Sequence, residues 1–256
     1  MTIWVFTAGR LSESAYALAK CDGYRRMTEG KGVKKGHTIV NWGVGDDTKF
    51  PDFQFDYNLL NCPDAVLRAV NKRTAFAIWA GHHVSTVPWT ANKAVAKEWL
   101  AAGHTVVARK LLTGHEGNGI VIVEPGQPLC DAPLYTKYVG KIKEYRVHAT
   151  RDKAFASHMK IKDPKTKEPP KTWKVRSYTN GFIFQRNNVP ASAARDALAV
   201  QAVSTLGLDF GAVDIIEDKQ GHFYVLEVNT APGIEGQTTP AYAGAIKELV
   251  HALACD

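Results

Sequence analysis

Asp214 and Glu227 are the two side chains whose placement most suggests chemistry. They sit in apolar runs at 210–216 and 223–229, separated by a turn signal at Gln220 and Gly221. The pattern predicts a β-hairpin. With Gln220 and Gly221 as the loop, Lys219 faces His222 and the ladder carries Asp214 opposite Glu227; a four-residue loop gives the same register. Alternation then places Asp214, Glu227 and Asn229 on one face and Tyr224, Leu226 and Val228 on the other. Two carboxylates opposed inside an apolar ribbon repel, and each loses hydration, so the pairing is unfavourable without a cation. Magnesium takes oxygen donors and shares its shell with phosphate, which makes Asp214, Glu227 and Asn229 candidate metal ligands. A solvated acidic face is the alternative, and the apolar neighbours weigh against it.

Upstream, a strand at 105–108 leads through Arg109 and Lys110 into Gly114, His115, Glu116, Gly117, Asn118 and Gly119, followed by a second apolar run at 120–123. Glycines spaced between two strands let the backbone turn tightly and aim amide hydrogens at an anion. This is a candidate phosphate loop; a plain hairpin turn is the alternative. A strand follows it, which excludes a dinucleotide fingerprint, and no Gly-Lys-Ser/Thr closes it as in a Walker loop. Arg109 and Lys110 are strand neighbours and point to opposite faces, so one enters the cleft, and the sequence leaves open which.

The elements that position these residues are legible from periodicity. Ile3 to Phe6 reads as a buried strand, Ser14 to Ala19 as a helix, and Ile39 with Val40 as a further strand, while 29–56 reads as irregular. Pro63 and Asp64 open a helix. Thr90 is the expected cap of another, which stops at Gly103. Segments between 135 and 185 read as strands broken by a loop at 160–174, which holds six lysines and three prolines and is expected to be exposed. Helices are predicted over 190–206 and along the stripe of Ile246, Leu249, Val250 and Leu253.

Composition bounds the class. The chain has 256 residues, 45% hydrophobic and 22% charged, enough for one sizeable core or two lobes around a cleft. No apolar run approaches the roughly 20 residues of a membrane span. The start reads as a strand, not a leader peptide, and Cys21, Cys62, Cys130 and Cys255 are scattered without metal or redox spacing. Together these predict a soluble cytoplasmic protein with free thiols. A net charge of +7 suits a polyphosphate-binding enzyme or a nucleic-acid binder.

The run 224–236, preceded by Gly211, Ala212, Val213 and Asp214, resembles the metal-binding signature of ATP-grasp ligases, most closely the branch of ribosomal-protein glutamate ligases and glutathione synthetases. Lys72, the glycine loop at 114–119, the strand at 134–139 and Glu144 to Val147 follow the family's order. The resemblance spans about 61–254. It implies an α+β ATP-grasp fold: a reduced α/β region at 1–60, then two lobes clasping ATP, the small one at about 72–134 and the large one at about 135–254. By the same resemblance Lys72 and Lys110, with Arg109 as competitor, hold phosphates; Lys137, Tyr138 and Val139 meet the adenine; and Glu144 takes the ribose hydroxyls. Arg176 and Asn180 stand near the transferred phosphoryl. Arg146 either faces substrate or forms an ion pair near Glu144. The cofactors implied are ATP with Mg2+, two ions by family habit, and Mn2+ as a substitute. The N-terminal region is shorter than the family's usual one.

The implied reaction joins a carboxylate to an amine through an acyl phosphate, with the glycine loop as a lid. Rival readings are an ATP-grasp phosphotransferase or ATP-binding module, and a nucleic-acid binder using the basic loop with Trp173 and Tyr178. The chemistry needs no histidine, so His82, His83, His115 and His148 read as packing or surface residues, with His115 near phosphate at most. The basic loop suggests an acidic amino acid or peptide as substrate.

Overall fold

The computed structural model of the chain describes residues 2–8, 12–113, 118–170 and 172–253. The first unit is a parallel sheet of β1 (Ile3–Phe6), β2 (Tyr24–Arg26), β3 (Thr38–Asn41) and β4 (Asn58–Leu60), in the spatial order β2-β1-β3-β4, with α1 (Glu13–Ala19) between the first two strands. Ser12 caps α1 by accepting from the Ala15 N–H. Both faces of the sheet are buried, as parallel strands require. Ile3 and Val5 pack toward α1, while Trp4 and Phe6 are covered by Phe50, Phe53, Phe55 and Tyr57. The stretch predicted as irregular therefore supplies aromatic cover where a helix would otherwise lie.

Two helices follow, α2 (Pro63–Val70) and α3 (Lys72–Gly81), the second capped by Asn71 accepting from the Thr74 N–H. A second sheet is antiparallel: β5 (Trp89–Thr90), β6 (Val106–Arg109), β7 (Ile120–Val123) and β8 (Leu134–Lys137), in the order β5-β8-β6-β7, with α4 (Lys93–Ala101) against it. The cap of α4 is Asn92. Thr90, the expected cap, lies in β5, and its hydroxyl accepts from the Asn92 N–H.

The largest sheet is also antiparallel. It comprises β9 (Lys141–Thr150), β10 (Ala154–Lys162), β11 (Phe182–Gln185), β12 (Phe210–Asp218) and β13 (Phe223–Asn229), in the order β11-β10-β9-β12-β13. On one face lies α5 (Ala193–Thr205), burying Ala199, Ala202 and Val203. The chain closes with α6 (Thr238–Leu253), whose stripe of Ile246, Leu249 and Val250 is buried as predicted.

Packing links segments far apart in the sequence. Residues 1–60 do not close their own core, because α6 completes it, and the Tyr24 hydroxyl donates to the Ala243 carbonyl at 2.7 Å. Both α2 and α3 pack on the large sheet, where Trp79 Nε1 donates to the Ala202 carbonyl at 3.1 Å. The second sheet packs with α4 around a separate core cluster, and its strand β8 ends at Lys137. Among the described residues, no helix is long and apolar enough to cross a membrane.

Candidate functional site

The β12–β13 hairpin pairs Asp214 with Glu227 and Ala212 with Asn229. The register is the predicted one, reached by a different route. Asp218 N–H donates to the His222 carbonyl at 3.0 Å and Gly221 takes φ 83°, so the loop holds three residues. That shifts the ladder by one, pairing Glu217 with Phe223, and a bulge at Leu226 shifts it back. The bulge changes which side chains share a face. Val225 and Val228 both enter the core, and Leu226, expected opposite Glu227, lines the same cavity as Glu227.

Arg146 on β9 pairs with Asp214 from the other side. Its Nε donates to Asp214 Oδ1 at 2.7 Å and its Nη2 to Oδ2 at 2.8 Å, a bidentate charge-assisted contact. Burial pushes the Asp214 carboxyl up, but the Arg146 guanidinium outweighs it and holds the group below the usual carboxylate range. Lys72 Nζ, from the first turn of α3, stands 3.3 Å from Glu227 Oε2. The repulsion that the sequence reading assigned to a metal is therefore already met by the protein's own cations. Arg146 forms a structural ion pair, as one of its two expected roles has it, but its partner is Asp214 and not the neighbourhood of Glu144.

The donor set itself constrains what could bind. Among the described residues no three His, Cys, Asp or Glu side chains gather as a metal cage. Two carboxylates stand together, with the Asn229 amide nitrogen 3.5 Å from Glu227 Oε1. Oxygen donors this few fit a hard cation that completes its shell with phosphate oxygens and water.

Between the small sheet and the large one lies a cavity lined by Lys72, Arg109, Lys137, Lys141, Lys160, Lys174 and Arg176, with Glu144, Asp214 and Glu227 as the acids. Seven basic side chains against three carboxylates make it a strongly positive cleft, suited to a polyanion. Arg109 lies at the end of β6. It lines the cavity, whereas Lys110 is exposed, with its N–H on the Gly119 carbonyl at 2.8 Å. The Nε atoms of Arg109 and Arg176 are buried with no acceptor among the described residues, an arrangement that favours an incoming anion. Burial lowers the Arg109 pKa, and Glu227 opposes that shift.

Val107, Ile122, Tyr138, Val139, Ile216 and Leu226 supply apolar wall beside Lys137. Asn118 lines the cavity, and Gly119 sits at φ +74° with Leu111 Cγ 2.8 Å from where a Cβ would stand. Gly114, His115, Glu116 and Gly117 lie outside the described residues.

Glu144 is 4% exposed, and both of its oxygens are taken: Lys141 Nζ lies at 2.5 Å and Lys160 Nζ at 2.6 Å. Burial raises its pKa, and the two lysines more than reverse the shift. Lys141, Lys160 and Lys174 all escaped the sequence reading. Lys160 was placed in an exposed loop, yet it belongs to β10 and lines the cavity. Lys174 pairs with Glu124, just beyond β7, and stands over the Tyr138 ring. The loop's two end lysines thus point into the cleft. Asn180 does not line the cavity; its Nδ2 donates to the carbonyls of Thr172 and Val175 at 2.5 and 2.7 Å, shaping the turn that presents Lys174 and Arg176.

The histidines follow the packing reading where they are described. His82 and His83 are exposed. Buried His148 joins the Tyr242 hydroxyl at 2.9 Å through Nδ1 and His158 Nδ1 at 3.2 Å through Nε2, and His158 Nε2 meets Thr238 Oγ1 at 3.2 Å.

Comparison with known proteins agrees with this architecture. Residues 185–253 match the RimK-like ATP-grasp domain. A probable alpha-L-glutamate ligase of Pectobacterium carotovorum is 42% identical over 68 residues, 25% of this chain and 22% of that protein. Probable alpha-L-glutamate ligase 2 of a Shewanella species is 28% identical over 157 residues, 56% of this chain and 49% of that protein. The matches thus span half or less of those relatives' length. The ATP-grasp ligase PsnB, complexed with its minimal precursor, superposes with a TM-score of 0.68 at 12% identity, covering 98% of this chain and 99% of that one; its complex with a precursor peptide and AMPPNP gives 0.66. The chain has the ATP-grasp fold, and its C-terminal segment, residues 185–253, is similar to the RimK-like ATP-grasp domain.

Proposed function

We propose that the chain is an ADP-forming carboxylate–amine ligase that binds ATP with Mg2+ in the cleft between the small and large sheets. The observation that carries this reading is that Asp214 and Glu227 face each other on adjoining strands and line a cleft that is otherwise basic, with Asn229 beside Glu227. The relatives named as glutamate ligases and the peptide-bound structural neighbour support an amino acid or peptide as substrate.

Lys72, Arg109 and Arg176 hold the phosphates, the two buried guanidinium Nε atoms finding there the acceptors they otherwise lack. Lys137 to Val139 line the adenine slot, and Glu144 fixes Lys141 and Lys160 while its remaining lone pairs meet the ribose hydroxyls. Asp214, Glu227 and Asn229 would hold Mg2+, which when bound neutralises phosphate charge as two ions or, in substitution, as Mn2+. For Glu227 to serve, Lys72 must leave it for the phosphates, a shift of one cation from carboxylate to nucleotide. A substrate carboxylate oxygen then attacks the γ-phosphorus and ADP departs. The amine, having lost a proton, attacks the acyl carbon, and phosphate leaves as the amide forms. Arg176 stabilises the charge on the phosphoryl and on the tetrahedral oxyanion. Asn180 positions Arg176, and the enzyme works in the cytoplasm.

Trapping with hydroxylamine tests the proposal. An acyl phosphate yields a hydroxamate together with ADP. ADP without hydroxamate, or phosphorylation of an alcohol, would leave a phosphotransferase or a simple ATPase instead.

A further inference from the structure

Strand β13 lies at the edge of the large sheet, so the backbone groups on its outer side need partners from elsewhere. One residue serves two of them. The Ser85 hydroxyl donates to the Phe223 carbonyl at 2.6 Å, and the Ser85 carbonyl accepts from the Val225 N–H at 2.9 Å. Thr86 stands beside Val225 in a parallel bridge. Ser85 thus clips β13 at the two residues flanking Tyr224, immediately before the bulge at Leu226.

The same segment reaches the second sheet. Val84 and Val87 are buried in the core shared with the large sheet, and Val87 also lines the cavity. The Pro88 carbonyl accepts from the Lys137 N–H at 2.9 Å, and β5 begins at the next residue, paired with β8. Residues 84–88 therefore run along the edge of β13 and end beside the strand that leads into the wall at Lys137 to Val139.

A bulge adds one residue to one strand, and a one-residue slip sends a side chain to the opposite face of the sheet. The position of the extra residue thus decides which side chain meets the cavity. With the bulge at 226, Val225 enters the core while Leu226 lines the cavity next to Glu227. We propose that Ser85 is a positioning residue for the nucleotide: it holds Phe223 and Val225 from outside, which fixes the bulge and keeps Leu226 as apolar wall against the base. The assignment rests on the ligase reading, with its nucleotide in this cleft, and adds a residue that touches neither nucleotide nor metal. Ser85 is exposed and is not among the residues lining the cavity, so its effect on binding passes through β13. A wall residue ordered before the ligand arrives spares the cost of ordering it on binding, and affinity rises for that reason.

Calorimetric titration of Mg·AMPPNP into the full chain tests this. Ser85→Ala removes the hydroxyl and should weaken binding about 5-fold, the scale of one neutral hydrogen bond. Ser85→Thr keeps the hydroxyl and should bind as the wild type does. A residue that acts through Leu226 loses its effect once that side chain is gone and keeps it when an independent group is changed. Ser85→Ala should therefore cost nothing further in a Leu226→Ala background, and the same factor as in the wild type in an Arg109→Met background. Unchanged affinity in Ser85→Ala overturns the assignment, as does a Ser85→Thr variant as weak as Ser85→Ala. So does a loss that persists in the Leu226→Ala background, the mark of a general structural lesion, or one that vanishes in the Arg109→Met background as well. A wild type that takes up no Mg·AMPPNP defeats the underlying ligase reading; normal uptake with any of those results defeats only the role of Ser85.

Discussion

Arg146 holds both carboxylate oxygens of Asp214 from the neighbouring strand, at 2.7 and 2.8 Å, so the floor of the cleft contains an internally neutral unit. Glu227, on the opposite strand, is balanced separately by Lys72 at 3.3 Å. The two carboxylates differ in consequence. Asp214 is locked by a buried cation, whereas Glu227 is balanced by a lysine lining the basic cavity, so an anion entering the cavity would change the charge balance at Glu227 first.

Arg146→Met would strand the buried Asp214 carboxylate beside Glu227. Removing one partner of a buried pair costs about 3–5 kcal/mol, and urea denaturation should show a loss of that order. Millimolar Mg2+ should recover part of the loss if Asp214 is a metal donor. A loss under about 1 kcal/mol would mean that the pair is solvated.

Glu227→Gln keeps the shape of the side chain and removes the charge. ADP formation should fall on the order of 100-fold or more, with the circular dichroism spectrum unchanged. Turnover at the wild-type rate would remove Glu227 from the metal site.

Arg109 and Lys110 separate the cavity from the surface within one peptide unit. Arg109→Met should weaken AMPPNP binding by about 10-fold or more, the scale of a lost hydrogen bond to a charged group. Lys110→Met should leave it within about twofold. Fluorescence titration of the two variants decides it, and the reverse order would place the wrong strand face in the cleft.

Burial holds His158 at about 4, with the arginines Arg186 and Arg146 adding to the shift, and burial drives His148 well below its ordinary value. The unfolded chain binds these protons near pH 6.5, while the folded chain refuses them. Their contribution is therefore fully present above about pH 6.5 and erodes as pH falls toward 4. For His158 the shift corresponds to about 3 kcal/mol. Comparing wild type with His158→Gln by urea denaturation at pH 7.5 and 4.5 isolates it: the wild type should lose more. Equal losses would show that the His148, His158 and Thr238 chain tolerates charge.

Local pattern reached a long way into this protein. The facing of Asp214 and Glu227 followed from alternation alone, because a period of two leaves few registers for a short hairpin. Helix starts and stops were legible to within a few residues, since Pro63 and Gly103 act through the backbone groups next to them, although Asn92 and not Thr90 caps α4. The ATP-grasp fold was recognisable from the order of motifs, and the superposition on PsnB agrees with it.

Other features depended on partners far away in sequence. The compensating loop and bulge of the hairpin leave its register unchanged, so alternation could not reveal that Leu226 joins Glu227 in the cavity. Lysines 160 and 174 looked like solvated loop charges because their partners, Glu144 and Glu124, lie 16 and 50 residues away. Arg146 could not be assigned to Asp214 before β9 was known to lie beside β12, across 68 residues. The sequence by itself determined which residues are able to do chemistry and which elements carry them, through short-range sterics and periodicity. The tertiary structure alone decided which charges neutralise one another, because that depends on which strands become neighbours.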